Sequence, residues 1–140
     1  PLTGACIRLG NLMNSEIYGT ETTLPWGFIF ERSAEVGAHI EQAVPRHPTQ
    51  LYEAGAYFLV FVVLQLLYWK SIRFNNPIKT NLIIGIFLLG IFATRFFIEF
   101  FKANQVPFES AWILNLGQIL SIPFILYGMY VLFVYKFQKK

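Results

Sequence analysis

A chain of 140 residues that is 55% hydrophobic and 18% aromatic, with 14% of its residues charged, falls well short of the roughly 25% charged residues of an ordinary water-soluble domain. With a mean hydropathy of +0.49 it reads as a membrane protein. The net charge of +3 does not point to nucleic acid, because the basic residues are scattered through apolar sequence and form no dense patch.

Residues 1–16, PLTGACIRLGNLMNSE, open with an apolar run too short to cross a bilayer. They read as the end of a membrane helix leading into an arginine-containing motif. The chain begins with proline and carries no secretory signal, so a fragment or processed product of something longer is expected. The single cysteine, Cys6, excludes an internal disulfide and reads as a small buried apolar side chain.

Residues 17–50 shift to Gly, Thr, Pro, charged side chains and both histidines, His39 and His47, and form one aqueous or interfacial segment. Within it Leu24–Phe30 is expected to form a short strand, with Pro25 at its start or at a sheet edge. His47, next to Pro48, reads first as a residue that satisfies a helix start, since nothing around it has metal-ligand spacing.

Residues 51–140 hold three spans. The first is 51–69, closed by the interfacial aromatic pair Tyr68 and Trp69. A basic connection follows, with an Asn-Pro step at Asn76-Pro77 that breaks the helix. The second span, 81–101, reads NLIIGIFLLGIFATRFFIEFF and contains Arg95 and Glu99. The third, 116–137, contains Pro123, expected to kink it, and the small residues Gly117 and Ser121, whose spacing of four lets a neighbouring helix approach closely.

The cations set the expected orientation. Lys70, Arg73 and Lys79 in the first connection and Lys136, Lys139 and Lys140 in the tail have no acid among them, so that connection and the tail should be cytoplasmic and residues 1–50 extracytoplasmic. Arg95 then lies about 9 Å below the outer end of its helix. Glu99 lies nearer the surface, and Glu53, at the start of the first span, sits at that outer level. Gln50, Glu53 and Tyr57 share one helical face by their spacing.

A charge at the centre of a membrane helix costs roughly 2.5–3.5 kcal/mol on insertion scales unless it finds a partner or water. Arg95 and Glu99, four apart on one face, can pair with each other, and a purely structural salt bridge is one reading of them. A polar pocket is the other. Arg8, Arg46 and Arg95 beside several carboxylates suit an anionic ligand, since guanidinium groups match phosphate oxygens with forked donors and stay charged when desolvated. A phospholipid headgroup is the nearest such anion.

Five blocks carry a resemblance: IRLGNLMNSEIYG (Ile7–Gly19), LPWGFIF (Leu24–Phe30), RHPTQLYEA (Arg46–Ala54), TRFFIEFF (Thr94–Phe101) and LNLGQILSIP (Leu114–Pro123). Together they resemble the C-terminal half of bacterial prolipoprotein diacylglyceryl transferase. The resemblance implies an all-α integral membrane helical bundle with three complete spans, a partial N-terminal helix and a small outward-facing segment with short strands. It implies an inner-membrane transferase that moves the diacylglyceryl group of phosphatidylglycerol to the lipobox cysteine of a prolipoprotein, releasing glycerol phosphate. No cofactor, metal or nucleic acid is implied.

On that resemblance Arg8, Asn11, Glu16 and Gly19 match the family's arginine-containing signature, and Arg95 with Glu99 matches a later helix. Arg8, Arg95 and Glu99 are the expected catalytic residues, with Glu99 orienting Arg95. Arg8, Asn11, Asn14, Glu16, Gly19, Arg46 and Arg95 are expected to bind substrate. The sequence departs from the family at Ile7 and Ser15, where glycine is usual. The competing function is a non-catalytic membrane lipid-binding or transport module that uses the Arg95/Glu99 pair.

Overall fold

The computed structural model describes residues 1–33, 44–75, 77–102 and 114–137. Four helices account for most of them: α1 (Leu2–Met13), α2 (Thr49–Arg73), α3 (Thr80–Ile98), continued by a 3₁₀ turn over Glu99–Phe101, and α4 (Leu116–Phe137). The last three are long and apolar enough to cross a membrane. The 12 residues of α1 extend about 18 Å, well short of a hydrocarbon core of about 30 Å. The protein is an all-α membrane protein, as its composition requires.

Local sequence explains where the helices stop. Asn75 takes the left-handed conformation at φ 46°, a residue type that tolerates it, and Pro77 follows. The amide of Ile78 then donates to the Ser71 hydroxyl at 3.2 Å, folding the connection back onto α2. The first span therefore runs on through Lys70 and Arg73, beyond the aromatic pair at Tyr68 and Trp69.

Small residues set the approach of the helices. A Cβ added at Gly85 would lie 2.4 Å from the Leu132 side chain, and one at Gly90 would lie 2.5 Å from Val60. Gly128 lies against Leu88 and Leu89, and the Phe92 and Phe124 rings stack with centroids 4.3 Å apart. These contacts clamp α3 to α4 and to α2. Pro123 lies inside the continuous helix α4. On the other side Ala5 of α1 packs with Ala54 and Tyr57 of α2, and Ile91 of α3 covers them.

Two sequence expectations are corrected. No strand forms among the described residues, which hold only isolated antiparallel bridges, one of them between Phe28 and Arg46. Residues 24–27 make a turn instead, with the Gly27 amide donating to the Leu24 carbonyl at 3.0 Å. Proline at the second position and glycine at the fourth favour that turn over an extended chain. Cys6 is exposed, because Ala5 and not Cys6 occupies the face of α1 turned to α2.

Candidate functional site

The antiparallel course of the spans brings the start of α2, the end of α3 and the start of α4 to one end of the bundle, beside α1. The anticipated face of α2 is the buried one: Gln50, Glu53 and Tyr57 are at most 5% exposed. Glu53 forms an ion pair with Nε of Arg8 on α1. Its other oxygen meets Lys102 Nζ at 2.7 Å, away from the direction of a well-formed hydrogen bond, so the contact acts as an ion pair. Lys102 also reaches Glu99 Oε2 at 3.2 Å. A chain of four alternating charges, Arg8, Glu53, Lys102 and Glu99, thus ties three elements together in an apolar setting. Each charge has a partner, which is what offsets the desolvation of such groups.

A further charged side chain at this pocket is Arg95. Its Nε is buried and makes no hydrogen bond, although Arg95 lines the same pocket as Arg8, Glu99 and Lys102. Of the two sequence readings, the private Arg95–Glu99 salt bridge does not form, and Glu99 pairs with Lys102 instead. After Ile98 the helix tightens into the 3₁₀ turn, which brings Lys102, three residues on, to the Glu99 carboxylate. Gly117 of α4 makes room for that carboxylate, since a Cβ there would lie 2.6 Å from Glu99 Cδ. The pocket, about 130 Å³, is closed on the α4 side by Gly117 and Leu120. It is large enough for a phosphate group and too small for acyl chains.

The polar side chains around the pocket are engaged with backbone. Gln118 Nε2 donates to the Phe96 carbonyl at 3.3 Å and its Oε1 accepts from the Asn115 amide at 3.1 Å. Gln50 Nε2 donates to the Glu16 carbonyl at 2.7 Å, and Thr49 Oγ1 donates to the Ile17 carbonyl at 3.3 Å. The segment held this way is unusual. Ser15 and Ile17, on either side of Glu16, stand at φ 57° and 56°, a region that costs a residue with a Cβ roughly 1–2 kcal/mol. Ile17 also lines the pocket, so a strained turn, pinned by two buried side chains of α2, forms part of its wall.

The other residues singled out in the sequence are dispersed. Asn11 is half-buried on α1, and Asn14 and Glu16 are exposed at and just beyond its end. Gly19 lies at a seam: its amide donates to the His47 carbonyl at 2.9 Å, and a Cβ would come 2.5 Å from the Phe101 carbonyl oxygen. Arg46 is 3.7 Å from Glu21 and its guanidinium sits 5.1 Å over the Tyr18 ring. None of these five lines the pocket. His47 Nδ1 lies 3.2 Å from the Tyr52 hydroxyl, which also accepts from Trp26 Nε1 at 3.1 Å; the histidine supports the start of α2.

Lys102 is the residue that sequence reasoning missed. It stands at the border of a polar connection, where a lysine is unremarked. Its position three residues after Glu99 was the available signal, since that spacing places two side chains together.

Comparison with known proteins bears on the same elements. Residues 1–134 match the family described as prolipoprotein diacylglyceryl transferase. The chain is 47% identical over 135 residues to the phosphatidylglycerol–prolipoprotein diacylglyceryl transferase of Bacteroides fragilis, covering 96% of this chain and 45% of that protein. It is 48% identical over 140 residues to the protein of that name from Porphyromonas gingivalis, covering 94% and 47%. With the one from Tolumonas auensis the figures are 45% over 128 residues, covering 91% and 45%. The chain thus spans about half the length of the curated relatives it matches. No solved structure matches it. Because the match extends through α1, the segment between α1 and α2 and all three long helices, the chain belongs to the prolipoprotein diacylglyceryl transferase family.

Proposed function

We propose that the chain supplies the headgroup-binding part of an enzyme that transfers the diacylglyceryl group of phosphatidylglycerol to the lipobox cysteine of a prolipoprotein. One observation carries this reading. The charges around the pocket are Arg8, Arg95 and Lys102 against Glu53 and Glu99, a formal excess of one positive charge, and Arg95 Nε is unpartnered. A single phosphodiester restores neutrality and gives Arg95 an acceptor. The names of the relatives identify a phospholipid of that charge.

In the reaction the cysteine thiol loses its proton to a base, and the thiolate sulfur attacks the glycerol carbon that bears the phosphate. The carbon–sulfur bond forms as the carbon–oxygen bond breaks, and the electron pair leaves with glycerol phosphate. The leaving group gains negative charge, which fixed guanidinium groups in a water-poor pocket stabilise. Arg95 and the terminal nitrogens of Arg8 contact the phosphate. Glu99 acts through Lys102, holding it at the pocket together with Glu53. Asn11, Asn14 and Glu16, on the neighbouring turn, meet the glycerol hydroxyls, Gly19 lets that turn close on α3, and Arg46 draws the headgroup from outside. Residues 1–16 form a helix end with the arginine motif, 17–50 an extracytoplasmic segment, and 51–140 the spanning region of a bacterial inner-membrane protein with a cytoplasmic C-terminus.

The test combines this chain with the portion of the Bacteroides fragilis relative that it does not cover, in phosphatidylglycerol liposomes with a lipobox peptide. The expected result is a peptide heavier by one diacylglyceryl group and an equivalent release of glycerol phosphate. An unmodified peptide, with phosphatidylglycerol still bound, identifies a lipid-binding module instead.

A further inference from the structure

The opposite end of the bundle holds a second, larger pocket. Its volume is about 370 Å³, and it lies where the end of α2, the start of α3 and the end of α4 converge. Leu67, Phe74, Ile78 and Leu82 make its walls apolar, and Lys70 and Tyr135 supply polar ends. Ser71, also in the lining, is occupied in holding the Ile78 amide, which keeps the α2–α3 connection folded back as one wall.

Among the described residues, the charged side chains at this end have a single sign. Lys70, Arg73, Lys79 and Lys136 lie in or beside the helix ends that meet here. No acidic residue occurs between Glu53 and Glu99 or after Glu109. Lys70 is exposed on α2, and no acid from α2, α3, α4 or the α2–α3 connection faces it. The pocket therefore joins a hydrocarbon slot to a cationic rim at the level where a spanning helix leaves the bilayer. Basic pockets between membrane helices at that depth recognise anionic lipid headgroups. Aliphatic walls below them suit an acyl chain.

We propose that this slot binds an anionic phospholipid of the leaflet at the basic end of the bundle, with its phosphate on Lys70 and one acyl chain along Leu67, Phe74, Ile78 and Leu82. The site is separate from the charged pocket and does not depend on the transferase reading.

The experiment counts lipids retained by the purified chain after release from nanodiscs of phosphatidylcholine doped with phosphatidylserine, using native mass spectrometry. Wild type retains one phosphatidylserine that Arg95→Gln does not remove. Lys70→Gln weakens its retention about fivefold, the effect of one cation at a lipid surface, and Leu82→Trp, which fills the slot, abolishes it. Lys70→Gln changes an exposed side chain and leaves the fold intact, so its result stands if Leu82→Trp misfolds. Three outcomes overturn the proposal: phosphatidylcholine retained as well as phosphatidylserine, displacement of the lipid by inorganic phosphate, or retention unchanged in Lys70→Gln. The last would mean that the retained lipid is held somewhere other than on Lys70.

Discussion

Lys102 Nζ lies 2.7 Å from Glu53 Oε1, and this contact joins the end of the second long helix to the second turn of the first. Both side chains are nearly inaccessible, at 3% and 1%. Glu99 on the other side of the ammonium completes the arrangement, so one lysine bridges two buried carboxylates that would otherwise repel each other, and Arg8 supplies the second positive charge.

Replacing that lysine should be costly. Lys102→Met leaves Glu53 and Glu99 buried with one fewer cation, and breaking a buried pair costs about 3–5 kcal/mol. Thermal unfolding in detergent checks this, with Lys102→Arg expected to retain most of the stability. A melting temperature unaltered in the methionine variant would mean that water, not the ammonium, neutralises the carboxylates.

Gly117→Ala places a methyl group where the Glu99 carboxylate now sits, 2.6 Å from Cδ. The carboxylate must move away from α4, at a cost of about 1–3 kcal/mol, as expected for overpacking. Gly55 is the control, because nothing lies within 4 Å of a Cβ added there. Gly55→Ala should be stabilising by up to about 1 kcal/mol, the helix-propensity difference between the two residues. Equal melting temperatures for the two variants would show that Glu99 does not rest on Gly117.

Ser15 stands at φ 57°, a conformation that glycine adopts without strain. Ser15→Gly should therefore raise stability by about 1 kcal/mol, less than the full relief because glycine also gains freedom in the unfolded chain. Chemical denaturation measures it. A loss of stability would assign the serine hydroxyl a role that outweighs the backbone.

Arg95→Lys keeps the charge and removes the planar fork. If Arg95 holds a phosphate through more than one donor, diacylglyceryl transfer should fall by about tenfold or more, equivalent to one lost charge-assisted hydrogen bond of roughly 1.5–3 kcal/mol. The melting temperature should change little, since Arg95 has no ion pair among the described residues to lose. Transfer at the wild-type rate would remove the forked-donor role.

How much of this was legible beforehand depends on whether the determinant is local. The three long helices follow from runs of apolar residues, and their ends from Asn75, Pro77 and the polar stretches between them. The inward face of α2 follows from the spacing of Gln50, Glu53 and Tyr57. Arg95 stood out because guanidinium in an apolar helix is costly wherever that helix packs. The turn at Leu24–Gly27 was also encoded locally by Pro25 and Gly27, and the β-prone residues around them obscured it.

The sequence by itself determined that this protein lives in a membrane, which segments are apolar enough to span it, and which charges require an explanation. Only the tertiary structure decided which charge meets which. Arg95 and Glu99 are neighbours by helical spacing, yet Glu99 is taken by Lys102, and Lys102 and Arg8 meet on Glu53 of another helix. Ion pairing in an apolar interior is set by distances of a few ångströms between elements far apart in the chain. Those distances depend on how closely Gly117, Gly90 and Gly85 let the helices approach. Arg95 was therefore visible in the sequence as an anomaly, while its buried, unpartnered nitrogen appeared only once the helices were packed.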